Sequence, residues 1–172
     1  MFLPINNISY STINGPDYRL VIWVQGCPLR CPGCFNPTTH KFDKKSEIDV
    51  DEIVNKINKE EQIKGITISG GEPLAYPEAI FSLLSGINNN LTRILYSGFT
   101  LKEILADKRK SKILKLVDLA IVGRYNKDLE HPYLGKVFLN VTGKIDANYF
   151  SPKFKVEYSI SDRNVTKTGI FK

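Results

Sequence analysis

Three cysteines within eight residues constrain this chain more than any other feature of its sequence. They are Cys27, Cys31 and Cys34, and the sequence contains no other cysteine. An odd number of cysteines at such close spacing is a poor basis for a disulfide framework. Closely spaced thiolates are instead good ligands for a soft metal ion or a cluster. The pattern therefore favours a metal-binding loop in a reducing compartment.

The segment around the cysteines, residues 26–40, is predicted to be a loop that wraps around one compact centre. Pro28 and Pro32 stiffen it, and Gly33 allows a backbone angle that other residues avoid. A structural zinc site normally has four protein ligands, whereas three cysteines leave one iron of a four-iron cluster open. A zinc site completed by another residue, such as His40, remains the alternative.

Apolar periodicity predicts alternating strands and helices over the first two-thirds of the chain. The predicted strands are residues 20–24, 65–69, 92–96 and 116–122, and the predicted helices are residues 49–61, 77–84 and 100–106. A Thr100–Glu103 capping box should open the last helix. Strands at residues 137–141 and 153–160 follow with little helix between them. This alternation is typical of an α/β fold with parallel strands, and it has too few units for an eight-stranded barrel of about 250 residues. An open, partial barrel or a curved parallel sheet is expected.

Short, distinctive motifs follow the predicted strands. After the cysteine loop come Gly70-Gly71-Glu72-Pro73, then Ser97-Gly98, then Gly123-Arg124-Tyr125. In parallel α/β folds, the loops at the carboxyl ends of the strands share one rim, and binding sites form there. The four motifs are therefore expected to converge, although each could also be an ordinary turn.

Length and composition predict one domain, residues 1–172, with 42% apolar residues to fill a core. The net charge of +6 is most simply a lysine-rich solvated surface, which could also help to dock an acidic protein or a nucleotide. Aromatic residues do not interleave with the basic stretch at residues 108–112, so nucleic-acid binding is not expected. No signal peptide or membrane-spanning run is recognisable, and a cytoplasmic protein is the expectation.

The cysteine motif, Cys-x3-Cys-x2-Cys followed by an aromatic residue, resembles that of the radical S-adenosylmethionine superfamily. Gly70-Gly71-Glu72-Pro73 stands after the next strand, where that superfamily carries a Gly-Gly-Glu-Pro motif. The resemblance implies a partial β/α barrel and a [4Fe–4S] cluster on the three cysteines. It also implies that the amino and carboxylate groups of S-adenosylmethionine chelate the open iron. The residues that it implies for cofactor binding are Gly33, Cys34, Phe35, Gly70, Gly71, Glu72, Ser97 and Gly98. For Glu72, the alternative is that its carboxylate only fixes the turn.

Asn14-Gly15-Pro16, the cysteine motif, Ser97-Gly98-Phe99-Thr100, and Gly123-Arg124-Tyr125 with Leu129 are similar to the small activating enzymes of anaerobic ribonucleotide reductase. The resemblance implies reductive cleavage of S-adenosylmethionine to a 5′-deoxyadenosyl radical, which takes a hydrogen atom from a glycine of a large glycyl-radical enzyme. It also implies an electron donor such as flavodoxin or ferredoxin.

The chain departs from that group at residues 135–141, which lack its usual Gly-Ser-x-Asn-Gln segment. Two other hypotheses stay open: a small radical enzyme acting on a peptide or a nucleotide precursor, and a non-enzymatic zinc or iron–sulfur module. Residues 141–172 receive no functional assignment.

Overall fold

The structure is a computed structural model that describes residues 1–150, 156–161 and 164–169. Its strands are β1 (Phe2–Ser11), β2 (Arg19–Val24), β3 (Glu47–Asp49), β4 (Gly65–Gly70), β5 (Thr92–Ser97), β6 (Leu119–Val122), β7 (Val137–Asn140), β8 (Val156–Ser161) and β9 (Asn164–Gly169). The first seven form one sheet in the order β3-β1-β2-β4-β5-β6-β7, and β8 pairs with β9 in a second sheet.

Four helices complete the regular structure: α1 (Val50–Lys59), α2 (Pro77–Gly86), α3 (Leu101–Ala106) and α4 (Lys108–Ile113). The Asp49 carboxylate caps α1 by accepting the backbone N–H of Asp51. The capping box predicted for Thr100 and Glu103 is confirmed at the start of α3. Asp107 then caps α4, so the basic stretch at residues 108–112 begins a new short helix.

The central strands β2, β4, β5 and β6 run parallel. The outer strands β1, β3 and β7 are antiparallel to their neighbours. Among the described strands the sheet stays open between β3 and β7, which form its two edges. The predicted α/β class with an incomplete parallel barrel is therefore confirmed.

Some element boundaries differ from the sequence-based prediction. β1 was not predicted, because Pro4 and a bulge between Ile5 and Asn7 interrupt its alternation of buried and exposed residues. The strand predicted at residues 116–122 begins only at Leu119, after a 3₁₀ turn at Leu114–Leu116. Of the strand predicted at residues 153–160, residues 153–155 lie outside the described part. The assignment of residues 1–172 to one domain stays a prediction.

Apolar side chains pack on both faces of the main sheet. The larger cluster joins the sheet to the helices through residues such as Ile68, Leu95, Ile53 and Leu83. The smaller cluster combines Ile94 of β5 and the alternate residues Leu119 and Ile121 of β6 with Ile145 and Phe150, which follow β7. In the described part of the chain, no helix is both long enough and apolar enough to cross a membrane.

A buried arginine joins the amino-terminal ends of the parallel strands. Arg19 is completely buried at the start of β2. Its guanidinium donates to Oγ1 of Thr67 at 2.9 Å, to the carbonyl oxygen of Ile66 at 2.7 Å and to that of Thr92 at 3.0 Å. Burial lowers the pKa of Arg19 to about 10. Arg19 thus fixes the sheet at the end opposite the motif-bearing loops.

Candidate cluster and cofactor site

The cysteine loop is a series of tight turns between β2 and the 3₁₀ turn Pro37–His40. Cys27 is buried, Cys31 and Cys34 are half-buried, and all three thiols are free. The backbone N–H of Cys34 donates to the carbonyl oxygen of Cys31 at 3.1 Å. Arg30 has a φ of 45° and Gly33 a φ of 65°, so the unusual backbone angle predicted for Gly33 is confirmed.

Residues 39–41 hold the beginning of this loop in place. The backbone N–H of Gly26 donates to the carbonyl oxygen of Thr39 at 2.8 Å, and that of Cys27 donates to the carbonyl oxygen of His40 at 3.3 Å. The side chain of Gln25 donates to the carbonyl oxygen of Lys41 at 2.6 Å. His40 thus supports Cys27 through its backbone. Among the described residues, no three His, Cys, Asp or Glu side chains are grouped closely enough to hold a metal ion as they stand.

The surroundings of the cysteines fit an iron–sulfur cluster. Burial raises the pKa of the Cys27 thiol, and the backbone N–H groups of Leu29 and Arg30 oppose that shift by donating toward its sulfur. The backbone N–H of Asn36 donates to Sγ of Cys34 at 3.4 Å. Such N–H donors stabilise thiolate sulfur and tune a bound cluster. Cys27, Cys31 and Cys34 could therefore hold the cluster.

The glycine-rich motif after β4 lies directly against the cysteine loop. The backbone N–H of Gly71 donates to the carbonyl oxygen of Val24 at 2.7 Å, and that of Glu72 donates to the carbonyl oxygen of Gly26 at 2.9 Å. Gly70 has a φ of 105°. A Cβ at position 71 would collide with the carbonyl oxygen of Gly26. The backbone approach expected of Gly70 and Gly71 is thus made, in this structure, to the residues that precede Cys27.

Glu72 is completely buried and uses its carboxylate to join two loops. It accepts the backbone N–H of Leu74 at 2.9 Å, the hydroxyl of Ser97 at 2.9 Å and the backbone N–H of Gly98 at 2.7 Å. Burial raises the pKa of Glu72 to about 7, although these three donors oppose the shift. The structure therefore places Glu72 as a link between the ends of β4 and β5, and its contact with a cofactor stays a prediction.

Hydrogen bonds also join the loop after β5 to the loop after β6. The backbone N–H of Gly123 donates to the carbonyl oxygen of Ser97 at 3.0 Å. The guanidinium of Arg124 donates to the carbonyl oxygen of Gly98 and forms an ion pair with Glu103 at 2.6 Å. The four motifs that follow the parallel strands are thus hydrogen-bonded in series, as their expected convergence on one rim required.

The far side of the cysteine loop packs against the segment that follows β6. The Phe35 ring is 68% exposed and lies edge-on to Tyr125, with 5.3 Å between ring centroids. A Cβ at Gly33 would lie 2.7 Å from Cδ of Lys127. Phe35 therefore stays accessible beside the cysteines, on the side of the loop that faces β6.

Three residues near the site were missed by reasoning from the sequence. The Lys136 ammonium group donates to the carbonyl oxygen of Gly123 at 2.5 Å. The Tyr76 hydroxyl donates to the carbonyl oxygen of Gln25 at 2.9 Å, and the ring of Phe42 packs beside Tyr76. None of the three stands in a recognisable motif, and only the Pro73–Pro77 turn signal near Tyr76 could have drawn attention to it.

Comparison with known proteins identifies the family. Residues 13–140 match the family model described as a 4Fe-4S single cluster domain. The anaerobic ribonucleoside-triphosphate reductase-activating protein of Escherichia coli K12 is 30% identical over 136 residues, covering 71% of this chain and 84% of the relative. The chain belongs to the radical S-adenosylmethionine activating enzymes. It is therefore an enzyme of the glycyl-radical-activating type that uses a [4Fe–4S] cluster and S-adenosylmethionine.

Two further sequence relatives are also named activating enzymes. The protein of the same name from Enterobacteria phage T4 is 32% identical over 126 residues, covering 68% of this chain and 77% of the relative. The pyruvate formate-lyase-activating enzyme of Staphylococcus epidermidis is 46% identical over 72 residues, covering 38% of this chain and 29% of the relative. The crystal structure of QueE from Escherichia coli superimposes with a TM-score of 0.47 at 17% identity, over 58% of this chain and 54% of that one.

Proposed function

We propose that this activating enzyme generates a glycyl radical on an anaerobic ribonucleotide reductase. The observation that carries the proposal is the extent of the similarity to reductase-activating proteins. The chain covers 84% and 77% of two such relatives, whereas it covers 29% of a pyruvate formate-lyase-activating relative. A chain that matches the reductase activators over most of their length is expected to share their kind of partner.

We assign the cluster to Cys27, Cys31 and Cys34. The N–H donors around the sulfur atoms and the backbone anchors from residues 39–40 support this ligand set. When bound, the cluster and S-adenosylmethionine supply the radical chemistry: one electron breaks the S–C5′ bond, and the resulting 5′-deoxyadenosyl radical takes a hydrogen atom from the glycine. The protein orients the reacting groups and shields them.

The S-adenosylmethionine is proposed to lie along the rim formed by the four linked loops. Gly70 and Gly71 would receive the methionine amino group, with Ser97 and Gly98 nearby. Gly33, Cys34 and Phe35 would lie beside the adenine. In support, the hydroxyl of Ser97 and the carboxylate of Glu72 are already engaged with each other, so the rim keeps its shape before the cofactor binds. A preorganised rim lowers the entropic cost of holding the cofactor in a reactive orientation.

The exposed Phe35 ring suggests how the partner approaches. Phe35 and Tyr125 form an accessible aromatic pair beside the cysteine loop. A large partner that covers them would exclude water from the radical. We therefore propose that the substrate glycine of the partner approaches from this side. Residues 1–172 are proposed to act as one domain. The electron donor is proposed to be flavodoxin or ferredoxin, and the compartment the cytoplasm, because the thiols and the cluster require reducing conditions.

The decisive experiment uses the full chain reconstituted anaerobically. It should bind about four irons and cleave S-adenosylmethionine when reduced with dithionite. Incubation with an anaerobic ribonucleotide reductase should then give a glycyl-radical signal by electron paramagnetic resonance. Replacing Cys27, Cys31 or Cys34 by Ala should abolish the signal, and so should replacing the radical-bearing glycine of the reductase by Ala.

Two outcomes would contradict the proposal in different ways. Cleavage of S-adenosylmethionine without a radical on the reductase would indicate that the enzyme acts on another substrate, such as a peptide or a nucleotide precursor. Tight binding of a single zinc ion without any cleavage would leave a non-enzymatic metal module.

A further inference from the structure

The segment after the cysteine loop carries three exposed lysines close in sequence to one exposed aromatic ring. Lys41, Phe42, Lys44 and Lys45 are all exposed, and 53% of Phe42 is accessible. We call these four residues the Phe42 surface. Asp43, which lies between these residues in the sequence, accepts the backbone N–H of Lys45 at 3.0 Å through its carboxylate and so caps the 3₁₀ turn Lys44–Ser46. Glu47 is also exposed, so residues 41–47 carry three lysines against the carboxylates of Asp43 and Glu47, and their net charge is positive.

The inner edge of this surface contacts the residue that precedes Cys27. A Cβ at Gly26 would collide with the Tyr76 hydroxyl and would lie 2.8 Å from Cδ1 of Phe42, so the Tyr76 hydroxyl and the Phe42 ring together occupy the space where a side chain of Gly26 would stand. The carbonyl oxygen of Lys41 accepts a hydrogen bond from Gln25 at 2.6 Å, and that of His40 accepts one from the backbone N–H of Cys27. An exposed ring is thus in contact with the backbone of the loop that holds the cluster.

The Phe42 surface and the Phe35 side of the loop lie toward opposite edges of the sheet. Residues 41–46 lead into β3, the strand at one edge. Phe35 packs instead against Tyr125, which follows β6 near the other edge. A protein bound at the Phe42 surface would therefore approach the cysteine loop from a different direction than one that covers Phe35.

We propose that the Phe42 surface docks a small acidic one-electron carrier protein. This inference rests on the proposed function, because it concerns reduction of the same cluster. Lysines around a ring attract an acidic partner over a distance and orient it, while the ring supplies a dry central contact. Transient electron-transfer complexes have small interfaces, and this patch of four side chains would form only the centre of one.

The electron transfer balances without movement of other atoms. A carrier with an anionic flavin hydroquinone gives up one electron and becomes the neutral semiquinone. The [4Fe–4S] cluster accepts that electron and changes from the 2+ to the 1+ state. A carrier docked on Phe42 would lie against the backbone of Gly26, next to Cys27, which is proposed to hold the cluster.

The test compares two charge-reversed variants of the reconstituted full chain. One carries Lys41→Glu, Lys44→Glu and Lys45→Glu. The control carries Lys108→Glu, Lys112→Glu and Lys115→Glu, which makes the same change of net charge at exposed lysines in and after α4. The probe is flavodoxin: binding of the oxidised form is measured by calorimetry, and cluster reduction by the hydroquinone form is measured by stopped-flow absorbance.

The first variant should bind flavodoxin more weakly and be reduced about tenfold more slowly at low ionic strength, since removal of interfacial charge acts mainly on association. Salt should diminish the difference from wild type, because surface charges are screened. The control variant should behave like wild type. Phe42→Ala should also weaken binding, and Lys41→Gln with Lys44→Gln and Lys45→Gln should give an intermediate rate.

Rates are expressed per cluster, and reduction by dithionite, which needs no docking surface, should be the same in the charge variants at high ionic strength, where the charge on this anionic reductant is screened. Equal flavodoxin binding and reduction in the first variant and wild type would overturn the proposal. Equal losses of flavodoxin binding and reduction rate in the first variant and the control would also overturn the proposal, because the change in total net charge would then explain them. Failure of the proposed function can be distinguished from failure of this docking proposal. If the chain forms no glycyl radical on a reductase, its cluster should still be reduced by flavodoxin through this surface.

Discussion

The Glu72 carboxylate accepts the backbone N–H of Gly98 at 2.7 Å and thereby ties the loop after β4 to the loop after β5. Both loops belong to the rim on which the cofactor is proposed to lie. A buried carboxylate at this point is unusual, because Glu is rarely buried unless its oxygens are fully paired. Here three donors from two loops satisfy it, so the shape of the rim depends on one side chain.

Replacing Glu72 by Gln should therefore destabilise the chain and disturb the rim. The amide nitrogen cannot accept a hydrogen bond, so at least one of the donors on Leu74, Ser97 and Gly98 loses its acceptor. The expected cost is about 1–3 kcal/mol of unfolding free energy. Urea unfolding measures it, and calorimetry with S-adenosylmethionine should show weaker binding at unchanged iron content. Unchanged stability and affinity would mean that the carboxylate does not hold the two loops together.

The same residue predicts a pH dependence of stability. Burial raises the pKa of Glu72 to about 7 from a usual value near 4.5. Between these values the folded chain binds the proton more tightly than the unfolded chain, so this contribution to stability is complete below about pH 4.5 and is lost as the pH rises through about 7. Urea unfolding of the chain before cluster loading, at pH 5 to 8, should show stability falling more steeply in wild type than in Glu72→Gln. Parallel curves would contradict the raised pKa.

Replacing Gly71 by Ala should impair retention of the cluster. The added methyl group would collide with the backbone carbonyl of Gly26, which cannot move without shifting Cys27. Iron content and visible absorbance after reconstitution should both fall. The matched control is Gly86→Ala at the end of α2, where the methyl group meets only the movable side chain of Val54. Equal iron content in both variants would show that the loop adapts to the methyl group.

Replacing Arg19 by Ala should destabilise the sheet without altering the chemistry at the rim. The substitution leaves the carbonyl oxygens of Ile66 and Thr92 without a buried donor, at a cost of about 3 kcal/mol or more. Denaturant unfolding should show this loss, while cleavage of S-adenosylmethionine per cluster at low temperature stays near wild type. Arg109→Ala, at an exposed ion pair, should leave the unfolding midpoint almost unchanged.

The elements that sequence reasoning located are those with strong local patterns. The cysteine loop, the parallel strands and the Thr100 capping box follow from spacing and periodicity within a few residues. β1 escaped prediction because Pro4 and the polar pair Asn6-Asn7 break its alternation. Phe42 escaped because its contact with Gly26 joins residues sixteen apart through a turn that no local pattern specifies.

In the candidate site, too, one part could be predicted from the sequence and another could not. The residue types and their positions after the strands were predicted, and the structure brings those positions together. The hydrogen bonds that join the loops in series were not predicted, because they depend on the strand order β2-β4-β5-β6 and on burial of Glu72. A glutamate in a glycine-rich turn suggests an exposed ligand, and only the packed structure turns it inward.

The hydrogen bonds that join the rim loops are made between protein groups alone. Oxygen destroys exposed iron–sulfur clusters, and a chain whose loops depended on the metal would collapse with it. Here the bonds from Gly71 to Val24, from Glu72 to Gly98 and from Gly123 to Ser97 do not involve the thiols. We therefore expect the chain to keep this scaffold when a cluster is lost to air, so that iron and sulfide can be reloaded without refolding.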